Sequence, residues 1–258
     1  MCLMTFNWLD HPVYKMILVA NRDEFFDRPS KPIHYWDSGI YAGKDLRGGG
    51  TWLGIHPDGR FAAITNYRDI NNIRKDAITR GNLVKDFLEG DDDPYTYLEH
   101  VFANMHQYDG FNLLVAKDDR MYYLSNYGKE IVKVNPGFHT LSNILMNSDW
   151  PKEKLGLTQL EENIASDRLK PDDLLALLKS DIILPDHLLP DTGATLEQER
   201  ALSAQFVRLA DYYGTVNTTA LLWGHDGTVT LKERTYTLAE STEDNLINFI
   251  MNSVNQEL

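Results

Sequence analysis

Four stretches of the chain show two apolar runs on either side of a short polar turn, which is the pattern of a β-hairpin. The turns contain Pro, Asp or Gly, residues that favour reverse turns. The turn residues are 11–13, 56–59, 118–120 and 225–227. The sequence therefore predicts four hairpins, over residues 2–24, 51–67, 111–128 and 219–236.

Between these hairpins, apolar residues recur at helical spacing. One such segment ends at Gly90 and the next begins at Pro94, a common helix end and a tolerated first-turn residue respectively. The pattern predicts five helices, over residues 80–90, 94–107, 149–165, 170–180 and 195–213.

Two of the predicted strands are too apolar to have one face in water. Residues 16–20 read MILVA and residues 61–65 read FAAIT, and such runs are typical of a sheet that is covered on both faces. The hairpins make the sheets mostly antiparallel, which argues against a doubly wound parallel sheet. We therefore predict an α+β fold in which two stacked, mostly antiparallel sheets lie between helices, as a single domain over residues 1–258.

Charge and cysteine content narrow the cellular setting. The 25 basic and 38 acidic residues give a formal net charge of −13, which repels nucleic-acid phosphates and anionic membranes. The single cysteine cannot form an internal disulfide, and the first twenty residues lack the features of a signal peptide. No apolar run approaches the ~20 residues that span a bilayer. These features predict a cytoplasmic protein with no nucleic-acid partner and no membrane insertion.

The single cysteine is Cys2, immediately after Met1. Removal of Met1, which is usual before a small second residue, would leave a thiol and a free α-amine on one residue. An α-amine with a pKa near ~8 can act as a base, and an ionised thiol is a strong nucleophile. This is the arrangement of an N-terminal nucleophile. The alternative is a structural cysteine at the start of a strand, with Met1 retained.

Four polar residues, 21–24, follow the apolar run at 16–20 and are expected opposite the first residues of the chain. Asp23 could accept a hydrogen bond from the Cys2 amine, and Arg22 could stabilise a thiolate or a substrate carboxylate. Neighbouring strand residues point to opposite faces, so both reach one site only where the strand ends or bulges. The alternative is a turn with a surface ion-pair cluster.

Two further stretches contain candidate ligand contacts. Gly48, Gly49 and Gly50 would let backbone amides approach a ligand or another strand, or form a flexible loop, and Trp52 beside them could line a pocket. They are not a P-loop, because no Gly-Lys-Ser/Thr follows. Asn66 follows the apolar run at 61–65, where its amide could donate to an oxyanion or cap a turn.

Six stretches, in order along the chain, resemble motifs of the NRDE-motif family, which is related to the transport and Golgi organization protein 2 homologs. They are ANRDEFFDRP, AGKDLRGGGTWLG, AAITNYRD, LSNILMNSDWPKEK, LPDTGATLEQERALSAQFV and YGTVNTTALL. The resemblance runs from Cys2 to about residue 236 and implies a four-layer αββα fold of the N-terminal-nucleophile hydrolase type. Eukaryotic members are implicated in haem trafficking and in lipid or acyl-coenzyme A handling, with no firmly assigned reaction.

A more distant resemblance is to cysteine N-terminal-nucleophile amidases of the cholylglycine hydrolase type. It implies catalytic roles for Cys2 and Asp23, an oxyanion-hole role for Asn66, and a second catalytic asparagine at Asn143. The arginine of those enzymes aligns with Ala20 in this chain, so that Arg22, beside Asp23, takes its role only by proximity.

The chain also departs from the family pattern in the stretch YGTVNTTALL. The NRDE-motif family usually has an arginine after Tyr-Gly-Thr, and Val216 stands at that position. The loss of this cation weakens the case for full catalytic competence or marks a different substrate.

Two functions of different classes are consistent with these features. In the first, a processed Cys2 hydrolyses a linear amide or a related acyl bond. In the second, the fold is a non-catalytic binding or trafficking module for a hydrophobic, anionic ligand such as haem or an acyl-coenzyme A. The residues assigned to ligand contacts are Asn21, Glu24, Lys44, Gly48, Gly49, Gly50 and Trp52.

A small-molecule substrate or ligand is the only partner that the sequence indicates, and no cofactor is predicted. The eight histidines are scattered and form no HExxH motif or other metal-ligand pair, so no metal site is predicted. The oligomeric state stays open.

Overall fold

Two antiparallel sheets form the centre of the protein, which is described by a computed structural model over residues 2–74, 76–166, 169–238 and 241–252. The first sheet joins both ends of the chain. Its strand order is β10 (Gly137–Leu141), β1 (Cys2–Trp8), β2 (Tyr14–Phe25), β12 (Tyr213–Gly224), β13 (Thr228–Tyr236) and β14 (Thr242–Ile250), with the short β11 (Arg208–Leu209) also paired to β12.

The second sheet is built from consecutive strands of the middle of the chain. Its order is β3 (Ser30–Tyr35), β4 (Tyr41–Asp45), β5 (Leu53–Ile55), β6 (Arg60–Asn66), β7 (Phe111–Lys117), β8 (Arg120–Ser125) and β9 (Ile131–Lys133). Each strand of this sheet pairs with the next strand along the chain, and all of these pairs are antiparallel.

The α-helices of the described residues lie on the outer faces of the two sheets, except the last, which packs beside the short β11. They are α1 (Gly81–Glu89), α2 (Pro94–Asn104), α3 (Pro151–Ala165), α4 (Pro171–Leu175) and α5 (Leu196–Leu202), and short 3-10 turns occur at Ile70–Asn72, Met105–Gln107 and Asp186–Leu188. No helix in the described part of the chain is both long enough and apolar enough to cross a membrane.

Three apolar clusters show how these elements are layered. Phe6, Leu18 and Phe61 belong to a fully buried cluster between the sheets. A second cluster joins α1 and α2 to the outer face of the second sheet, and a third joins α3 and α4 to the outer face of the first. On β1 the alternation of a strand is visible, because Leu3 belongs to the third cluster and Met4 to the first. The layer order is therefore αββα, which confirms the predicted fold class.

The four predicted hairpins are present as β1–β2, β5–β6, β7–β8 and β12–β13. Two helices are shorter than the apolar pattern predicts. The predicted helix at 170–180 ends at Leu175, and Leu178 beyond it has a positive φ of 54°, outside the helical region. The predicted helix at 195–213 ends at Leu202, because the following residues pair with Ser180 and then form β11.

Glu233 on β13 ties the two sheets together and is fully buried. Its Oε1 accepts from the Ile33 backbone N–H of β3 at 3.0 Å, and its Oε2 accepts from the Thr219 hydroxyl at 3.3 Å. Burial raises the pKa of Glu233 from 4.5 to about 7. Because the protonated acid is favoured in the folded state, its contribution to stability is greatest below pH 4.5 and is lost as the pH rises to about 7.

We therefore expect Glu233→Gln to stabilise the protein above pH 7, by up to about 3 kcal/mol. The free energy of unfolding from urea titrations at a series of pH values would show a shallower decrease between pH 5 and 7 than the wild type. Glu243→Gln, at an exposed position on β14, is the control. An unchanged slope in Glu233→Gln would contradict the assignment.

Candidate active site

A cavity of about 590 Å³ lies where β1 begins and where β2 and β6 end. Cys2, Arg22, Asp23 and Asn66 line it together, so four of the five predicted catalytic residues meet there. The other walls come from segments that are distant along the chain. They include Thr51 and Trp52, residues 77–81 before and at the start of α1, and Gln198, Leu202, Leu209, Tyr212 and Tyr213.

Strand pairing explains how adjacent residues of β2 reach the same cavity. Cys2 on β1 lies opposite Arg22. On the other side of β2, the register with β12 shifts between Thr215 and Asn217, so that Val216 is the extra residue of a bulge beside Arg22 and Asp23. The extra residue belongs to β12, and a bulge bends its strand and increases the local twist of the pair. The sheet is therefore irregular at the point where Arg22 and Asp23, neighbours on β2, both line the cavity.

Cys2 is held at the start of β1 and is half-buried. The Ser142 hydroxyl donates to the Cys2 carbonyl oxygen at 3.0 Å. Burial raises the pKa of the Cys2 thiol, while the Arg22 charge and a hydrogen bond from the Asp23 backbone N–H act to lower it. The thiol is therefore protonated at neutral pH and requires a base before it can attack an acyl carbon.

Asp23 is buried next to Cys2. Its side-chain carboxyl group and its backbone carbonyl each accept a hydrogen bond from a residue of β12. The Thr215 hydroxyl donates to Asp23 Oδ1 at 2.7 Å, and the Tyr213 hydroxyl donates to the Asp23 carbonyl oxygen at 3.1 Å. Burial raises the pKa of Asp23, whereas the positive charges of the N-terminal amine and of Lys152, and the Thr215 hydrogen bond, lower it. These contacts fix the direction of the carboxyl group relative to Cys2.

Asn66, at the end of β6, forms a hydrogen-bonded pair with Asn143. Asn143 Nδ2 donates to both the carbonyl oxygen and the Oδ1 of Asn66, each at 3.1 Å. Because Asn66 Oδ1 is the acceptor, its Nδ2 is the group left to donate into the cavity. Asn143 is buried and is absent from the residues that line the cavity. It therefore orients Asn66 from behind.

Arg22 is buried against the face of Trp52, with its guanidinium carbon 4.0 Å from the ring centroid. Its Nη2 lies 3.7 Å from Glu24 and 3.9 Å from Asp45. Nη1 has no hydrogen-bond partner among the residues that the structure describes. Arg22 thus holds a buried positive charge beside Cys2, with one donor that no described residue satisfies.

Asn21 and Lys44, both assigned to ligand contacts from the sequence, do not line the cavity. Asn21 lies opposite Leu3, on the helix-facing side of the sheet, where its amide donates to the Leu178 and Gln205 carbonyls. Lys44 packs its ammonium 4.3 Å from the ring of Trp36. In the described structure the side chains of Asn21 and Lys44 therefore contact other parts of the protein and not the cavity.

The glycine triplet lies behind the cavity wall and wraps the Asp45 side chain. Asp45 Oδ1 accepts from the Gly48 N–H at 2.9 Å, and Gly49 takes the left-handed conformation with φ of 75°. A Cβ on Gly50 would come within 2.4 Å of the carbonyl carbon of Gly81, the first residue of α1. The triplet permits close backbone packing of this loop against a segment that lines the cavity.

Gly50→Ala is therefore expected to destabilise the protein by about 1–3 kcal/mol, because backbone atoms must move to make room. Urea unfolding would report this as a lower midpoint. The matched control is Gly128→Ala, where the nearest atom to the added Cβ is the end of the Leu145 side chain at 3.3 Å. Equal midpoints for the two variants would contradict the packing argument.

Three buried charged residues near the site escaped the sequence analysis: Lys152, Arg68 and Glu199. Arg68 and Glu199 pair at 3.3 Å, and the Arg68 backbone N–H donates to the Asn143 carbonyl at 2.8 Å. Lys152 occupies the first turn of α3, a position where the helix dipole disfavours a cation. That unfavourable placement is the one sequence signal that could have identified Lys152.

The described residues contain no group of three or more His, Cys, Asp or Glu side chains arranged to hold a metal ion. The groups that line the cavity include the Cys2 thiol, several carboxylates, the Asn66 amide and three guanidinium groups. The protein thus belongs to the four-layer αββα class of α+β folds. Its cavity holds a cysteine at the start of a central strand, an aspartate and an asparagine.

The sequence comparisons identify the family of this αββα protein. Residues 1–238 match the family described as Transport and Golgi organisation 2, and the chain belongs to this family. It is 37% identical to the Transport and Golgi organization 2 homolog of Mus musculus, over 91% of this chain and 92% of the relative. The corresponding Homo sapiens protein is 36% identical over the same shares, and the Drosophila melanogaster protein is 29% identical over 57% of this chain and 58% of its own.

Among solved structures, an N-acylethanolamine-hydrolyzing acid amidase ortholog of Caenorhabditis elegans aligns with a TM-score of 0.47 and 12% sequence identity. The alignment covers 86% of this chain and 92% of that chain.

Proposed function

We propose that the protein is a cysteine N-terminal-nucleophile hydrolase that acts on a linear amide or a related acyl bond. The observation that carries this proposal is the cavity itself, in which Cys2 lies with Asp23, Asn66 and Arg22. Each of these groups has a separate task in acyl transfer, namely nucleophile, orienting carboxylate, oxyanion donor and cation.

In the proposed reaction, removal of Met1 first places a free α-amine on Cys2. The amine takes the thiol proton, and Cys2 Sγ forms a bond to the acyl carbon while the carbonyl electrons move to the oxygen. Asn66 Nδ2 is the available donor for this oxyanion, and the Arg22 guanidinium adds a positive charge beside Cys2. Collapse of the intermediate breaks the bond to the leaving amine, which takes the proton from the α-ammonium.

The second half of the reaction releases the acyl group. Water attacks the thioester, its proton passes to the α-amine, and the carboxylic acid leaves as the Cys2 thiol is restored. Asp23 is proposed to accept a hydrogen bond from the α-amine and so to hold it beside Sγ throughout. The reducing cytoplasm, where we place the protein, would keep this half-buried thiol reduced.

A binding or trafficking role for haem or an acyl-coenzyme A-like ligand is the second candidate. It is favoured by the apolar rim of the cavity, where Phe25, Ile70, Ile78 and Tyr212 are exposed. The charges of the cavity do not favour an anion, because its three arginines, Arg22, Arg28 and Arg80, face four carboxyl groups, those of Asp23, Glu24, Asp45 and Asp109. Lys44 and the glycine triplet also lie outside the cavity lining. We therefore prefer the hydrolase.

The experiment that tests the proposal measures the mass of the tag-free protein before and during reaction with iodoacetamide at neutral pH. We expect loss of Met1 and rapid addition of one alkyl group, because the α-amine activates the thiol. Asp23→Asn is expected to slow the alkylation at least about tenfold, since the amine is no longer held in place. Asp27→Asn, at a carboxylate that is 80% exposed, is the matched control and should react like the wild type.

A protein that retains Met1 and reacts no faster than a free cysteine would overturn the hydrolase proposal. Haem and acyl-coenzyme A binding would then be measured by titration, with Arg22→Met as the variant that should weaken binding.

A further inference from the structure

Lys152 is a buried cation at the start of α3, with 5% of its surface exposed. Its Nζ donates to the Leu202 carbonyl at 3.0 Å and lies 5.5 Å from the ring of Trp150. Within the described ranges, no carboxylate lies at salt-bridge distance from Nζ. Burial of an ammonium group costs several kcal/mol unless nearby charges offset it. The position of this cation therefore requires an explanation.

The neighbouring cation, Arg68, has its own partner. Its guanidinium lies 4.9 Å from the ring of Trp150 and pairs with Glu199 at 3.3 Å. Glu199 is thus engaged by Arg68, and it also accepts from Thr192. The negative charges left to compensate Lys152 are those of Asp23 on β2 and of Glu153, its neighbour on α3, with Asp23 the stronger influence.

The segment after α5 connects Lys152 to β2. Leu202, whose carbonyl accepts from Lys152, also lines the cavity. Three residues later, Gln205 Nε2 donates to the Lys152 carbonyl at 3.1 Å, and the Gln205 carbonyl accepts from Asn21 at 2.9 Å. Lys152 and the strand that contains Asp23 are therefore fixed to the same short segment.

The same segment also reaches the Asp23 carboxyl group. The Val207 N–H donates to the Thr215 hydroxyl at 2.9 Å, and that hydroxyl donates to Asp23 Oδ1 at 2.7 Å. The residues from Leu202 to Val207 thus hold Lys152 on one side and Asp23 on the other, behind Cys2.

We propose that Lys152 is a positioning residue of the site, whose buried ammonium keeps the Asp23 carboxyl group ionised beside Cys2. This inference rests on the proposed hydrolase function, because the ionised carboxylate is what orients the α-amine. Lys152 itself touches neither the substrate nor the reacting atoms. Its effect on the reaction passes through Asp23.

The electrostatics of the charged groups around Lys152 agree with this role. Burial and the Arg68 charge lower the pKa of Lys152 to about 8, while Asp23 on β2, Glu153 on α3 and Cys2 on β1 act to raise it. Lys152 in turn lowers the pKa of Asp23 against the effect of burial. The ammonium and the carboxylate thus stabilise one another's charged forms.

The experiment is a titration of Asp23 by ¹³C NMR of the aspartate carboxyl groups in the full-length protein, with the signal assigned by its loss in Asp23→Asn. Lys152→Gln removes the charge but keeps an N–H donor for the Leu202 carbonyl. We expect its Asp23 midpoint to rise by about one pH unit or more, the effect of losing a nearby opposite charge. Lys152→Arg and Lys154→Met, an exposed lysine on the same helix, should leave the midpoint unchanged.

An unchanged Asp23 midpoint in folded Lys152→Gln would overturn the proposal, because a lysine that serves only to join α3 to α5 would not affect that titration. If Lys152→Gln does not fold, Lys152→Met is measured in its place. Since this readout needs no reaction, it decides the role of Lys152 even if the iodoacetamide experiment goes against the hydrolase.

The link to Cys2 is tested by a double-mutant cycle in the alkylation assay. Lys152→Gln is expected to slow alkylation of processed Cys2 about tenfold below neutral pH, and to have no further effect in an Asp23→Asn background. Equal effects in both backgrounds would show that Lys152 does not act through Asp23.

Discussion

Arg68→Met is expected to lower the free energy of unfolding by about 3–5 kcal/mol, because it leaves the Glu199 carboxylate buried without its cation. The side chains of this pair are 3% and 5% exposed, and their nearest atoms are 3.3 Å apart. The Arg68 backbone also holds Asn143, which orients Asn66. Because methionine keeps the backbone N–H, the contact to Asn143 is retained, and the expected effect of this substitution is on stability.

The control for this prediction is an exposed pair with better geometry. Arg200 makes two hydrogen bonds to Asp186, at 2.8 and 2.7 Å, with both side chains about half exposed. Arg200→Met is expected to leave the urea midpoint nearly unchanged, because water replaces the lost contacts. In Arg68→Met/Glu199→Gln, part of the lost stability should return. If denaturant titrations show equal costs for the buried and exposed pairs, the buried pair does not stabilise the fold.

Asn66→Ala is expected to slow acylation of processed Cys2 about 10²–10³-fold, the usual effect of removing one oxyanion donor. The reagent is p-nitrophenyl acetate, whose reaction with the thiol passes through a tetrahedral oxyanion. The rate would be measured from the mass of the acylated protein and from released nitrophenol.

Iodoacetamide provides the internal control, because alkylation forms no oxyanion. Asn66→Ala should change the alkylation rate less than about twofold, since Asn66 donates to the oxyanion and not to the thiol. Asn143→Ala should show a smaller loss of the same selective kind, and exposed Asn104→Ala none. A parallel loss in both reactions would indicate that Asn66 supports the structure of the site and does not bind an oxyanion.

The sequence was sufficient to predict the elements whose side chains follow a simple period. The run at 16–20 and the turn at 11–13 specify β2 and its hairpin with β1, and that register alone brings Arg22 opposite Cys2. β10 was missed because its partner, β1, lies more than a hundred residues away along the chain. β14 follows its partner β13 directly, but its side chains are mostly exposed and it has no apolar run to mark it.

The site was predictable where a strand end determines the position of a residue, as for Cys2, Asp23 and Asn66. Asn21 was assigned to a ligand because of its motif, although alternation along β2 places it with Leu3 on the helix-facing side. Arg68 could not be recognised, because most arginines lie on the surface, and the only signal for Lys152 was its place in the first turn of α3. Their burial depends on α3 and α5 meeting behind the sheet.

The order of strands in the two sheets has a consequence for folding. The second sheet, β3 to β9, is a run of neighbours along the chain, whereas β1 and β2 pair with β10 and β12 from more than a hundred residues away. Pairing across such separations carries a larger loop-closure entropy and is slow. We expect the second sheet to form first. The cavity should form last, when Thr215 from the distant part of the chain closes against Asp23.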